Sequence, residues 1–92
     1  SFRMFSGVAL LLDADFVFTA PGGMSKTLYR RMEAGGTIFK RTRPDLTDNL
    51  MKGLCDALTG IVWKDDGLIS QVHSRKIYGP EPMTRLKILA LK

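Results

Sequence analysis

Residues 45–66 hold Asp45, Asp48, Asp56, Asp65 and Asp66 against Lys52 and Lys64, a net charge of −3. Side chains three or four apart share one face of a helix, so Asp45, Asp48, Lys52 and Asp56 form a polar stripe opposite Leu46, Leu50 and Leu54. Asp65-Asp66 stands on a turn after the following short strand, and that turn can return toward the helix start. Such a set suits phosphodiester hydrolysis. Carboxylates hold Mg²⁺, and the ion lowers the pKa of an attacking water and offsets charge building on the phosphate. A lysine within hydrogen-bond range stabilises the same charge or positions the water. Each residue also has a plainer role. Asp45 or Thr47 can cap the helix. Asp48 and Lys52 can form an i, i+4 ion pair that contributes a few tenths of a kcal/mol. Asp65-Asp66-Gly67 can be a turn and nothing more.

The segment before this acidic knot has the opposite sign. Lys26, Arg30, Arg31, Lys40, Arg41 and Arg43 face a single acid, Glu33, so residues 26–43 carry +5, equal to the net charge of the whole chain. Cations of this density can hold phosphates, or can form a solvated face with no partner. These six residues are the candidate DNA contacts. Tyr29 and Phe39 lie between them and are candidate DNA contacts.

Elements must bring the two segments together. Val8, Leu10, Leu12, Ala14, Phe16 and Phe18 share one parity, which predicts a strand over residues 8–18 with one wholly apolar face. Pro21-Gly22-Gly23 breaks it. Ser25 can cap a short helix running to about Ala34 and stopped by Gly35-Gly36, or the stretch is a mobile basic loop. A firmer helix starts near Pro44-Asp45 and ends at Gly60, with Leu46, Leu50, Leu54, Ala57 and Leu58 facing the core. Short strands are predicted over residues 61–63, 68–78 and 83–91, with Arg85 and Lys87 on one face of the last and Leu86, Ile88 and Ala90 on the other. The expected architecture is α+β, a small two-layer domain with a mixed or antiparallel sheet on one main helix, the last three strands forming a meander.

Composition sets limits. The chain has 92 residues, 45% apolar and 25% charged, which is ordinary globular composition in a single domain spanning residues 1–92. Cys55 is alone, so no internal disulfide forms and a reducing, cytoplasmic compartment is expected. The longest apolar run, residues 8–12, is far too short for a membrane span. His73 reads as a surface residue, Cys55 as core, and Trp63 as a buried strand aromatic before a base-stacking one.

The run Pro44-Asp45-Leu46-Thr47-Asp48-Asn49-Leu50-Met51-Lys52, then Asp56-Ala57-Leu58-Thr59-Gly60, then Trp63-Lys64-Asp65-Asp66 with Ile69 resembles the signature of RusA-type Holliday junction resolvases. The resemblance spans roughly residues 7–78 and is specific over residues 43–69. It implies a RusA-like fold and an Mg²⁺-dependent, structure-selective endodeoxyribonuclease that resolves four-way DNA junctions by paired nicks, acting as a homodimer in recombination and repair. It assigns Asp48 and Asp66 as metal-binding catalytic aspartates, Lys52 as the catalytic lysine, and Asn49 and Asp56 as structural, while Asp45 is expected as a third ligand because Arg43-Pro44 pins its approach and Leu46 must turn to the core. The alternatives are a nuclease acting on flaps or forks, and a DNA-binding module without catalysis. Two departures stand out. The family's first two aspartates are separated by one residue, whereas Leu46 and Thr47 separate Asp45 and Asp48. The family also carries a segment ahead of the first strand that these residues lack, and the start at Ser1 leads us to expect a longer gene product.

Overall fold

A computed structural model describes residues 3–92. The first strand, β1 (Ala9–Thr19), follows the expected alternation. Leu10, Leu12, Ala14 and Phe16 are buried, while Leu11, Asp13 and Asp15 on the other face are half-buried. The remaining strands are β2 (Ile69–Gly79) and β3 (Met83–Leu91), and β1 lies between them, parallel to β2 and antiparallel to β3. The α+β class with a mixed sheet is therefore as expected.

The predicted meander is not formed. Residues 61–63 are no strand of the sheet, and Trp63 makes only isolated bridges, to Phe5 and Thr59. The cause is local. Gly60 adopts φ +85°, and its N–H donates to Trp63 O at 2.7 Å while Val62 N–H donates to Leu58 O at 2.8 Å. These turn bonds use backbone groups that a strand would need. The parallel β1–β2 pair requires a long crossover, and everything between the two strands serves as one.

That crossover begins with α1 (Lys26–Glu33). The Ser25 hydroxyl accepts Leu28 N–H at 3.2 Å, and Met32 is buried, so the basic segment starts as a docked helix and not a loose loop. Residues 38–40 then run along the outer edge of β2, with Lys40 N–H donating to Lys76 O and Tyr78 N–H to Ile38 O.

The main helix comes in two pieces. A wide π-type turn, Leu46–Met51, precedes α2 (Lys52–Leu58), and Leu50 N–H reaches five residues back to Asp45 O at 3.0 Å. One extra residue in a turn advances the phase of everything after it. Met51, Leu54, Cys55 and Leu58 consequently pack on the buried trio Leu10, Leu12 and Trp63. Ala57, predicted to face the core, is exposed.

A 3₁₀ turn, Asp66–Leu68, leads into β2. Gly79 closes β2 against β1, where a β-carbon would lie 2.5 Å from Val17 Cγ1, so a side chain cannot fit without movement. On the sheet face away from α2, Asp13 lies between His73 and Lys87, and Asp15 between Arg75 and Arg85. Among the described residues, no helix is long and apolar enough to cross a membrane.

Candidate active site

The approach to the wide turn fixes Asp45. Its backbone is extended (φ −66°, ψ 138°), and its carbonyl accepts the Leu50 N–H. Its carboxylate makes no capping bond and is exposed, and Thr47 lies inside the turn, so neither side chain serves as the cap. Arg43 and Pro44, joined by a cis peptide bond, line a surface depression of about 440 Å³ together with Asp45 and Asn49.

A residue that sequence reasoning missed holds this approach in place. Lys76 on β2 donates from Nζ to Thr42 O at 2.6 Å and to Pro44 O at 2.9 Å. One ammonium thus ties the two carbonyls flanking Arg43 to the sheet, immediately before Asp45. Nothing in the sequence signals the contact, because it joins residues more than thirty positions apart.

Asp48 lies in the first turn of the π-type segment, and Lys52 opens α2. Both are exposed, and among the described residues the ion pairs all involve Asp15, so an Asp48–Lys52 pair is not formed. Asp65 is committed, its Oδ1 accepting Gly67 N–H at 2.9 Å to cap the 3₁₀ turn. Asp66 is the first residue of that turn. Burial pushes the Cys55 thiol up from its ordinary value, and the negative charges of Asp66 and Asp56 push it further. The charge of Asp66 is thus felt at Cys55, one helical turn beyond Lys52 on α2. Cys55 is held as a neutral thiol in the core layer, the opposite of what a nucleophile requires.

Asp45, Asp48 and Asp66 do not gather into one coordination shell. Among the described residues, no three His, Cys, Asp or Glu side chains converge closely enough to hold a metal ion. The single chain in this arrangement does not fit a bound Mg²⁺.

The cations are disposed unevenly. Lys26, Arg30, Arg31, Arg41 and Arg43 are exposed. Lys40 is turned inward. Its Nζ donates to Thr42 Oγ1 at 2.5 Å and lies 5.3 Å from the Phe18 ring centre and 5.5 Å from that of Tyr78. Its charge is partly engaged inside the molecule.

The remaining candidates have structural or surface places. Trp63 is fully buried, its Nε1 donating to Thr59 Oγ1 at 2.9 Å, while Thr59 donates to Cys55 O at 2.7 Å. His73 is exposed on β2, 3.5 Å from the Gln71 amide nitrogen. Sequence reasoning also missed the Asp15 cluster. Arg75 donates from Nε and Nη2 to the two Asp15 oxygens at 2.8 and 3.1 Å, and Arg85 approaches to 3.5 Å. The Arg75 hydrogen bond, helped by the charges of Arg75 and Arg85 and opposed by burial, holds the Asp15 carboxyl below its usual range. Strand parity separates Asp13 and Asp15 from the apolar face, but only the register reveals which cations lie beside them.

The chain matches the family described as "Endodeoxyribonuclease RusA" over residues 4–89. It is similar to the "Uncharacterized protein YqaN" of Bacillus subtilis (strain 168), 29% identical over 85 residues that cover 78% of this chain and 59% of the relative. The chain thus spans about three-fifths of that relative's length. No solved structure gives a significant match. With the family profile matched from residue 4 to residue 89, almost end to end, the chain belongs to the RusA endodeoxyribonuclease family.

Proposed function

We propose that residues 1–92 form one domain that acts as a structure-selective endodeoxyribonuclease on branched DNA, the four-way junction above all, with Mg²⁺ as its cofactor. The observation that supports this best is the set of uncommitted polar groups at the start of the main helix. Asp45, Asp48 and Lys52 are exposed, without capping bonds or ion pairs, and the charge of Asp66 is felt at Cys55 on the same helix. Unpaired charges are common on any surface, so it is their grouping at one helix start, two residues after Arg43, that carries the reading. Asp45, Asp48 and Asp66 form no metal shell in the single chain as described, so their assignment to Mg²⁺ requires that DNA or a second copy draw them together, and Lys52 is the group we assign to the phosphate.

The exposed cations Lys26, Arg30, Arg31, Arg41 and Arg43 supply the phosphate contacts in this reading, with Lys40 contributing less. Action in the cytoplasm and as a homodimer belongs to the same proposal. Support for a second copy comes from β3, an edge strand with Met83, Leu86 and Leu89 exposed and its outer side without a partner strand among the described residues.

The test is a labelled four-way junction incubated with the protein, with and without Mg²⁺. Paired nicks that require Mg²⁺ support the proposal. Cleavage of flaps and forks at equal rates would replace junction selectivity with a broader nuclease activity. A gel shift without cleavage would favour the second reading, a non-catalytic DNA-binding module, for which the failure of three carboxylates to converge speaks.

A further inference from the structure

Phe39 is the most exposed aromatic side chain named on this surface, with 63% of its area open to solvent. Exposure of a large ring would mean little on a loose loop. Phe39, however, is held on both sides by backbone bonds to β2: Lys40 N–H to Lys76 O at 3.0 Å, and Tyr78 N–H to Ile38 O at 2.9 Å. Alternation along this extended piece puts Phe39 and Arg41 on one parity and Ile38 and Lys40 on the other. Lys40 turns to the Phe18 and Tyr78 rings, and Arg41 stays exposed. Phe39 and Arg41 share a cleft of about 490 Å³ with Met24, Leu28, Thr42 and Tyr78. Arg41 is the charged residue of that lining.

An exposed ring that is held by backbone bonds on both sides, beside a guanidinium, suits one class of occupant. A nucleobase offers a flat face for stacking, and its phosphates answer the charge. A paired base inside a duplex hides that face, whereas an unstacked base exposes it. We propose that Phe39, flanked by Arg41, is a stacking platform for an unpaired nucleobase, the kind of base that opens at a branch point. This rests on the DNA-acting reading above and adds to it what distinguishes branched from regular DNA.

The experiment uses the full chain without divalent metal, so that cleavage plays no part. A single-stranded oligonucleotide carrying 2-aminopurine and a duplex of the same sequence are titrated separately. Stacking should quench the single-stranded probe. Phe39→Ala should lose the quench and weaken single-strand binding by about tenfold, within a range of roughly 5- to 150-fold. Phe39→Trp should restore both. Duplex binding should be unchanged in Phe39→Ala, because phosphate contacts remain. A wild-type protein that does not quench, or a Phe39→Ala variant that weakens strand and duplex equally, would overturn the proposal. So would a Phe39→Ala variant with unchanged nucleic-acid affinity and a lower mass in sedimentation, which would assign the patch to a second copy of the chain. A protein that quenches the probe yet never cuts DNA would sink the nuclease reading and leave this one standing.

Discussion

Asp15 has cations beside it across the sheet and Asp45 has them beside it along the chain, and the molecule treats the two aspartates in opposite ways. Asp15 sits mid-strand, gripped through both oxygens by Arg75 with Arg85 alongside, and its carboxyl is held ionised to lower pH than usual. Asp45 stands at the start of a helix and does not cap it, although Arg43 is only two residues away. Asp48 and Asp66 resemble Asp45 in having no ion pair among the described residues. The difference teaches that charge alone does not mark a site. A carboxylate whose lone pairs are already used is part of the scaffold, and one left open beside cations is available for a ligand.

The largest effects should fall on the open carboxylates. Asp66→Asn and Asp48→Asn are each expected to abolish junction cleavage while leaving binding intact or tighter, because losing a negative charge eases the approach of phosphate. Asp45→Asn should behave the same way. Asn caps a helix about as well as Asp, so a capping role would make that substitution almost silent. Cleavage rates and gel shifts on the three variants decide the matter. Near-normal cleavage by any one of them would move that residue from the open class to the scaffold.

Lys52→Ala comes next, with an expected loss on the order of 10²–10³ in single-turnover rate, the usual consequence of removing one preorganised donor to a developing oxyanion. An exposed lysine with no catalytic duty would cost almost nothing.

Lys76 should lie between the two classes. Its Nζ anchors Thr42 O and Pro44 O, so Lys76→Met would free the approach to Asp45 without touching DNA. Misplacement of a reacting group by about 1 Å can cost on the order of 10²-fold. A loss of about tenfold in cleavage rate, with junction affinity within about twofold of wild type, is expected. An affinity loss with normal turnover would show instead that Lys76 contacts phosphate.

Much of the scaffold was legible because it rests on periodicity. The parity of Leu10, Leu12, Ala14 and Phe16 gave β1, and Ser25 with Gly35-Gly36 bounded α1. Strand order was not legible. The apolar residues 61–63 look like a strand until the turn bonds at Gly60 are known. The extra residue between Asp45 and Asp48 was visible, but its consequence was not. A wide turn moves Met51 into the core face and Ala57 out of it, and whether a helix absorbs a residue that way depends on what it packs against. Of the candidate site, residue types and spacing singled out Asp45, Asp48, Lys52, Asp56 and the Asp65-Asp66 pair, and the resemblance to RusA-type resolvases chose Asp48, Lys52 and Asp66 among them. Lys76 and the Asp15 cluster depend on register across the sheet, which spacing along the chain does not encode.

The smallest effect, and the sharpest check on the comparison, belongs to Asp15. Its folded value lies below the ordinary carboxylate value of 3.8, so the pair with Arg75 stabilises the fold fully above that pH. The stabilisation is lost as pH falls through the lowered folded value. Arg75 keeps 41% of its side chain exposed and Asp15 18%, so solvent screens the pair and its worth is about 1 kcal/mol, near the lower end for a charged hydrogen bond. Asp15→Asn should therefore lower unfolding stability in urea by about that amount at pH 7, and the difference from wild type should shrink below about pH 4. Cleavage by the folded variant should be unchanged. If Asp15→Asn instead unfolds like wild type but cuts junctions at least tenfold more slowly, then the gripped carboxylate acts on DNA after all. Occupied lone pairs would then no longer separate scaffold from site in this molecule.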